Sequence, residues 1–282
     1  MPSIGVVELF IILCLFGLIV FGAILLVAGF GWWSRYLGVG ATVEGRAERL
    51  ERLPAAGITT LDLTNPVGDV EIAAGSSDEI TIRTVKIARG RSTEEARQRA
   101  EAMALRIEPV GDRLVLVAPT GRMRVGMKQE QVDWQISVPA DLAVHVDSSV
   151  GPVLLRGMRG RADVSTEVGG LRARDCSFVA PTTLRTTTGS IEWEGALGSR
   201  EGHYRVISTA GRVAIDLPSD NAFTLDAQTS VGSINCVFPV EGPSVDQLVG
   251  DMLRGAVNGG GPTLTIRTTT GSITLAASEV TT

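Results

Sequence analysis

Two imidazoles, three thiols and a few acidic clusters are what this chain offers for chemistry. His145 and His203 are its only histidines, and Cys14, Cys176 and Cys236 its only cysteines. Nucleophilic catalysis needs a base positioned beside a serine or cysteine, and no G-x-S-x-G or comparable signature accompanies either histidine. His145 stands between Val144 and Val146, on the wet phase of an alternating run, and His203 precedes Tyr204, so both read as solvated side chains. Glu192 and Glu194 flank Trp193, with Asp216 and Asp226 further along. Carboxylates presented by neighbouring strands could act on a glycosidic bond, yet alternating outward acids are also the ordinary wet face of a strand. Calcium runs of the D-x-D-x-D-G type are absent, and Gly259 to Gly261 is followed by no G-K-S or G-K-T. Cys236 falls on the apolar phase and reads as a buried free thiol rather than half of a disulfide with Cys176. These residues call for no catalytic group, no metal and no cofactor, so the chain reads as a non-enzyme.

Composition points to what must hold such residues in place. The chain has 282 residues, 33 of them glycine, with 5% aromatic and 20% charged. Average usage would give about 7% glycine, and the excess, with abundant Val, Ile, Leu and Thr, favours many short strands joined by tight corners. A net charge of −5 argues against a nucleic-acid partner, which requires a basic face that displaces counterions.

A repeat near twenty residues organises the second half. Corner glycines recur at Gly68, Gly151, Gly169, Gly189, Gly211, Gly232 and Gly271, with spacings of 83, 18, 20, 22, 21 and 39 residues. The 39 reads as two periods and the 83 as four. Three residues before the glycine stand Asn65, Ser148, Thr166, Thr186, Ser208, Thr229 and Thr268, all small and polar. Five before it and two after it the residues are apolar, as in Leu184 and Ile191 around Gly189. Alternation on both sides of a glycine makes each unit a strand, a corner and a strand. Identical residue classes at fixed offsets suit units stacked at ~4.8 Å. The predicted fold is therefore mainly β: a single-chain β-solenoid, or β-helix-like stack, of ~20-residue coils, preferred to an antiparallel sandwich. The small polar position becomes an inward ladder at the corner.

From Leu9 to Gly31 no charged side chain interrupts the apolar run. As a helix it would be about 34 Å long, enough to cross a hydrocarbon core of ~30 Å. Trp32, Trp33, Arg35 and Tyr36 follow at once, as residues of a membrane interface do. A signal peptide would want a basic leader and a shorter apolar core. Three regions follow: a transmembrane anchor at 1–38, a polar connector at 39–57 and a β domain at 58–282. Within the last, Ser92 and Glu95 form a capping box for an amphipathic helix over 92–107, and 239–262 reads as a loop insert. Arg35, Arg46, Arg49 and Arg52 lie C-terminal to the span and would place that side in the cytoplasm.

The TTTGSI units, the helix after the first strands, the prolines opening VPADLAVHVDSSVG and LPSDNAFTLDAQTSVGSI, and the last GSITL occur together. In these features the chain resembles the bacterial adhesin-like family of β-strand-repeat proteins, a domain of unknown function, over residues 58–276. The resemblance implies a membrane-tethered envelope domain on the extracytoplasmic side, opposite to the arginine count, and brings no catalytic residues. The expected function is a membrane-anchored, non-enzymatic cell-envelope protein. It would hold the lipid bilayer through residues 9–31 and present its sheets to a glycan, a lipid headgroup or another protein. A self-assembling structural or envelope-stress signalling protein is the alternative, and a β-helical polysaccharide-active enzyme ranks third.

Overall fold

Period-two alternation shapes the computed structural model, which describes residues 43–119, 130–242, 244–246 and 250–278. Strand β2 (Thr60–Val67) buries Leu61, Leu63 and Asn65, and beyond the corner at Gly68 strand β3 (Val70–Ala74) buries Val70 and Ile72. The unit recurs as β8 (Ala143–Val150) with β9 (Val153–Arg156), β10 (Ala162–Val168) with β11 (Leu171–Phe178), and β12 (Thr182–Thr188) with β13 (Ile191–Leu197). It returns as β14 (His203–Ala210) with β15 (Val213–Pro218), β16 (Phe223–Val231) with β17 (Ile234–Cys236), and β21 (Thr263–Thr270) with β22 (Ile273–Ser278). First members enter one sheet and second members another, and their apolar faces share one continuous core.

The remaining elements are β1 (Val43–Pro54), β4 (Glu79–Gly90), α1 (Thr93–Ala102), β5 (Arg106–Val110), β6 (Arg113–Val117) and β7 (Gln131–Val138), then β18 (Val240–Glu241), β19 (Ser244–Asp246) and β20 (Asp251–Val257). The ten-stranded sheet runs β1-β4-β7-β3-β9-β11-β13-β15-β22-β17. The twelve-stranded sheet runs β18-β20-β16-β21-β14-β12-β10-β8-β2-β6-β5, with β19 on β20.

This overturns the expected β-solenoid. The strands form two open, mixed sheets rather than one continuous coil. β4 pairs antiparallel with both β1 and β7, β5 with β6, and β20 with β16, β18 and β19. Chain order is not stacking order either. β21 lies between β14 and β16, and β22 between β15 and β17, so the last unit is inserted between its two predecessors. The 83-residue interval is not four coils, because β8 pairs directly with β2. The intervening chain spends itself on β4 to β7, which extend both sheets at that end. An open parallel sheet leaves unpaired backbone groups at its edges, and antiparallel strands are the local means of covering them.

Three smaller differences from the expected organisation accompany it. The connector at 39–57 holds the twelve-residue edge strand β1, whose alternating Glu and Arg side chains conceal its period. The insert at 239–262 contains β18 to β20, and β20 lies along β16 from Phe223↔Val257 to Thr229↔Asp251. The helix expected over 92–107 stops at Ala102. Its start follows the cap, Ser92 Oγ accepting from the Glu95 amide at 3.2 Å. Its end is tertiary: the buried Lys86 donates from Nζ to the carbonyls of Glu101 (3.0 Å) and Met103 (3.1 Å), where a cation suits the helix dipole. Ile107 then pairs with Leu116 in a strand. The apolar run at 9–31 and the interface residues Trp32, Trp33, Arg35 and Tyr36 lie outside the described residues. Among the described residues no helix is long and apolar enough to cross a membrane.

Candidate functional site

The scaffold for any site is the column of corners. A Cβ on Gly189 would stand 2.0 Å from the Gly169 carbonyl oxygen, and one on Gly211 1.9 Å from that of Gly189. Gly151, Gly169, Gly232 and Gly271 each approach another corner glycine as closely, and Gly68 approaches Val132. Side chains of the polar ladder tie those carbonyls down. Thr186 Oγ1 donates to Gly169 O at 2.9 Å, Ser208 to Gly189 at 3.0 Å and Thr229 to Gly271 at 2.9 Å. Thr166 reaches Gly151 at 3.4 Å and Thr268 reaches Gly211 at 3.3 Å. Asn65 Nδ2 donates to Gly68 O (3.1 Å) and Val132 O (3.2 Å), while its Oδ1 accepts from Trp134 Nε1 at 3.3 Å. Ser148 is the exception: its Oγ is buried without a hydrogen-bond partner. These contacts organise the backbone at the corners.

A hollow of about 280 Å³ opens on the outer face of the ten-stranded sheet, above β11, β13, β15 and β22. It lies beside a bulge. Ala173 pairs with Trp193, but the next partners are Cys176 and Gly195, so β11 carries one extra residue. The bulge places Asp175 at φ +53°, a left-handed conformation that a short polar side chain tolerates at some cost. On the opposite strand Gly195, at φ +153°, brings its Cα so close to Cys176 that a Cβ would lie 1.9 Å from that carbonyl. Beneath lies a stiff aromatic floor. Trp193 Nε1 donates to the Cys176 carbonyl at 3.2 Å, and the Trp193 ring sits 5.5 Å from Phe178 and 5.9 Å from Tyr204. Tyr204 in turn donates to Phe178 O at 2.8 Å.

Charge in the hollow is only partly matched. Arg172 pairs with Glu192 at 2.8 Å. Among the described residues, Arg174 and Glu194 have no side-chain hydrogen bond or ion pair, and Asp216 Oδ1 is buried without a partner. Glu194 and Asp216 are register partners on adjacent strands, and like charges placed directly opposite on a sheet are destabilising. Ala214, Thr274 and Ala276 beyond them are small, which leaves the space empty.

Of the acids singled out in the sequence, Glu192, Glu194 and Asp216 meet here. Asp226 does not: it sits on the twelve-stranded sheet, gripped by Arg254 (2.7 Å) and Arg267 (2.5 Å), which hold its carboxyl below the usual range. His145 lies on that sheet too, its Nδ1 3.6 Å from Asp163 Oδ2, and His203 is exposed at the start of β14. Among the described residues no group of three or more His, Cys, Asp or Glu could hold a metal ion. Burial pushes the Cys176 thiol up to about 11 and raises that of Cys236, so neither is an activated nucleophile. The sequence reading missed Arg174 and Asp175. A signal was present: four residues after the corner come Ala173 and Trp193, but the next buried position, Cys176, is three residues on, which breaks the two-residue phase.

No protein-family model matches the chain, and no curated protein matches it. Among solved structures it is similar to a candidate cell adhesion protein from Clostridium sporogenes, at 12% identity and a TM-score of 0.49, covering 83% of this chain and 100% of that one. It is also similar to a candidate adhesin from Bacteroides fragilis (9% identity, TM-score 0.29, 81% and 97% covered). A candidate lipid binding protein from Parabacteroides distasonis is similar at 9% identity and a TM-score of 0.27, with 81% and 96% covered.

Proposed function

We propose that this chain is a non-enzymatic, adhesin-like binding protein of the bacterial cell envelope, anchored through the apolar stretch 9–31 and presenting its outer sheet faces to a partner. The observation that carries the reading is the hollow on the ten-stranded sheet. Its Arg174 and Glu194 are exposed and make no side-chain hydrogen bond or ion pair among the described residues, so both are open to a partner lying on that face. Its lining offers hydrogen-bonding charge and a threonine hydroxyl, groups that can orient a bound partner. Sidedness follows the family resemblance and is extracytoplasmic; the arginine rule weakens for a large trailing domain. Protease added to intact cells should remove the β domain while the N-terminal stretch stays with the membrane fraction. Complete protection until the cells are lysed would place the sheets on the other side and refute the envelope role.

A further inference from the structure

We infer that β1 is the pairing edge of a symmetric dimer, in which the ten-stranded sheets of two copies of this chain join antiparallel about a two-fold axis at Leu50. This goes beyond the binding reading above and stands without it. Among the described residues β1 pairs with β4 alone, and at twelve residues it is the longest strand that ends a sheet: β17 has three, β5 five and β18 two. The contacts along β1 show which backbone groups it leaves open. Ala55 N–H donates to Asp78 O at 2.9 Å, one step beyond the register pair Pro54↔Glu79. Thr84 Oγ1 donates to the Arg49 carbonyl at 3.5 Å. Odd-numbered residues therefore turn their N–H and C=O toward β4, and Glu44, Arg46, Glu48, Leu50 and Arg52 turn theirs outward, because the directions alternate along an antiparallel strand. Pro54 belongs to the outward set, the place on an edge where a missing N–H costs the ladder nothing.

A row of open donors and acceptors is a template for another strand, and charge on an edge is normally a guard against it. Here the order of the charges turns the guard into a match. About Leu50, Glu48 faces the partner's Arg52 and Arg49 faces the partner's Glu51, each pair occurring twice, while Ala47 faces the partner's Leu53 and Leu50 meets the partner's Leu50. Residues directly opposite share a face of the sheet, where opposite charges attract and like charges repel. An axis at Arg46, Glu48, Arg49, Glu51 or Arg52 would set a charge against itself, and one at Ala47 would set Leu50 against Glu44. Leu50 is 57% exposed, and pairing on the axis takes that apolar surface out of water. Within the chain Glu48 already pairs with Arg83 and Arg52 with Glu79, so the interchain pairs extend charge ladders that cross the sheet. The edge is also accessible. The helix α1 lies over the core-side face of β1 at Gly45, where a Cβ would stand 2.3 Å from the Ala96 backbone. Beside it, along Arg46 to Arg49, a groove of about 450 Å³ opens between β1 and Arg97 and Glu101 of α1.

The test is cross-linking of the full-length chain in the membranes of cells that make it. Leu50→Cys puts two thiols on the axis, where hydrogen-bonded partners stand about 5.5 Å apart at Cα, within reach of a short bis-maleimide. A dimer-sized product is expected from Leu50→Cys, and none from the unsubstituted chain or from Arg205→Cys, exposed on the other sheet. Adding Glu48→Arg sets arginine against arginine on both sides of the axis and should cut the yield about tenfold or more. Adding Arg52→Glu as well restores opposite charges between the chains and should return the product. Within the chain that double exchange faces Arg83 and Glu79 with like charges, so a merely structural role for Glu48 and Arg52 would make it worse than the single change. Leu50→Lys is the second variant. It should leave the melting temperature unchanged and, by sedimentation velocity of the purified full-length chain in detergent micelles, give a monomer at concentrations where the parent is a dimer. No dimer-sized product from Leu50→Cys, a yield indifferent to Glu48→Arg, or a parent chain that sediments as a monomer throughout overturns the dimer and leaves the binding reading standing. A Leu50→Cys thiol that the maleimide cannot reach shows the edge covered by another segment of the chain or by a different protein, and overturns it equally.

Discussion

Gly189→Ala probes the feature on which both sheets depend. A Cβ there would lie 2.0 Å from Gly169 O and 2.6 Å from its carbon. Relief to ordinary contact near 3.4 Å requires the two corners to part by roughly 1.4 Å. At that separation the Gly169 N–H to Thr188 O bond (2.9 Å) and the Thr186 Oγ1 to Gly169 O bond (2.9 Å) are lost. Each is worth about 1 kcal/mol net. The backbone at φ +151° adds a conformational penalty of about 1–3 kcal/mol for any residue with a Cβ. The sum is about 3–5 kcal/mol, a large share of a typical stability of ~5–15 kcal/mol, and a fall in melting temperature on the order of 10 °C. The matched control is Gly111→Ala: φ is +64° but nothing lies within 4 Å, so only the backbone penalty of about 1–2 kcal/mol applies. Thermal and urea unfolding of the full-length chain in nanodiscs, followed by circular dichroism, reads both. Equal losses in the two variants would show that corner-to-corner approach is not what restricts these positions to glycine.

The ladder gives a paired test. Ser148→Ala should be neutral or stabilising by up to about 1 kcal/mol, since it removes a buried hydroxyl with no partner, whereas Ser208→Ala should cost about 1 kcal/mol by orphaning the Gly189 carbonyl; equal effects in urea titrations would refute the distinction. Asp69 offers a pH test: desolvation, and then the neighbouring Asp133, raise its carboxyl above 3.8. A carboxyl raised on folding binds its proton more tightly in the native state, so stability falls as pH climbs from 3.8 through the raised value and stays lowered above it. Asp69→Asn should therefore stabilise at pH 7 and lose that advantage below pH 3.8; a gain independent of pH would contradict the assignment.

How much of this was legible in the chain depends on how far each cause reaches. The alternation of Leu184, Thr186, Gly189 and Ile191, and its echo in Val206, Ser208, Gly211 and Val213, is local, and it specifies which side chains face the core and where the corners fall. What lies next to what is not local. Val206 pairs with Ile266 although some sixty residues separate them, and Ala227 with Ile266 rather than with Val206. Any unit of the repeat presents much the same surface to any other, so the pattern cannot rank its neighbours. The hollow shows the same division. Glu192, Glu194 and Asp216 were visible as outward acids, but their meeting depends on which strands lie side by side, β13 beside β15 with Glu194 opposite Asp216.

The sequence by itself determined the mainly β character, the inward and outward phase of the strands, the corner glycines and the start of α1, because backbone period and capping act over a few residues. Tertiary structure alone decided the two open mixed sheets, the insertion of the last unit, the end of α1 at Lys86, the strand at 43–54 and the unpaired charges of the hollow. Each of those depends on which edge is left uncovered and which distant segment arrives to cover it, and backbone pairing across a sheet carries no residue-by-residue code.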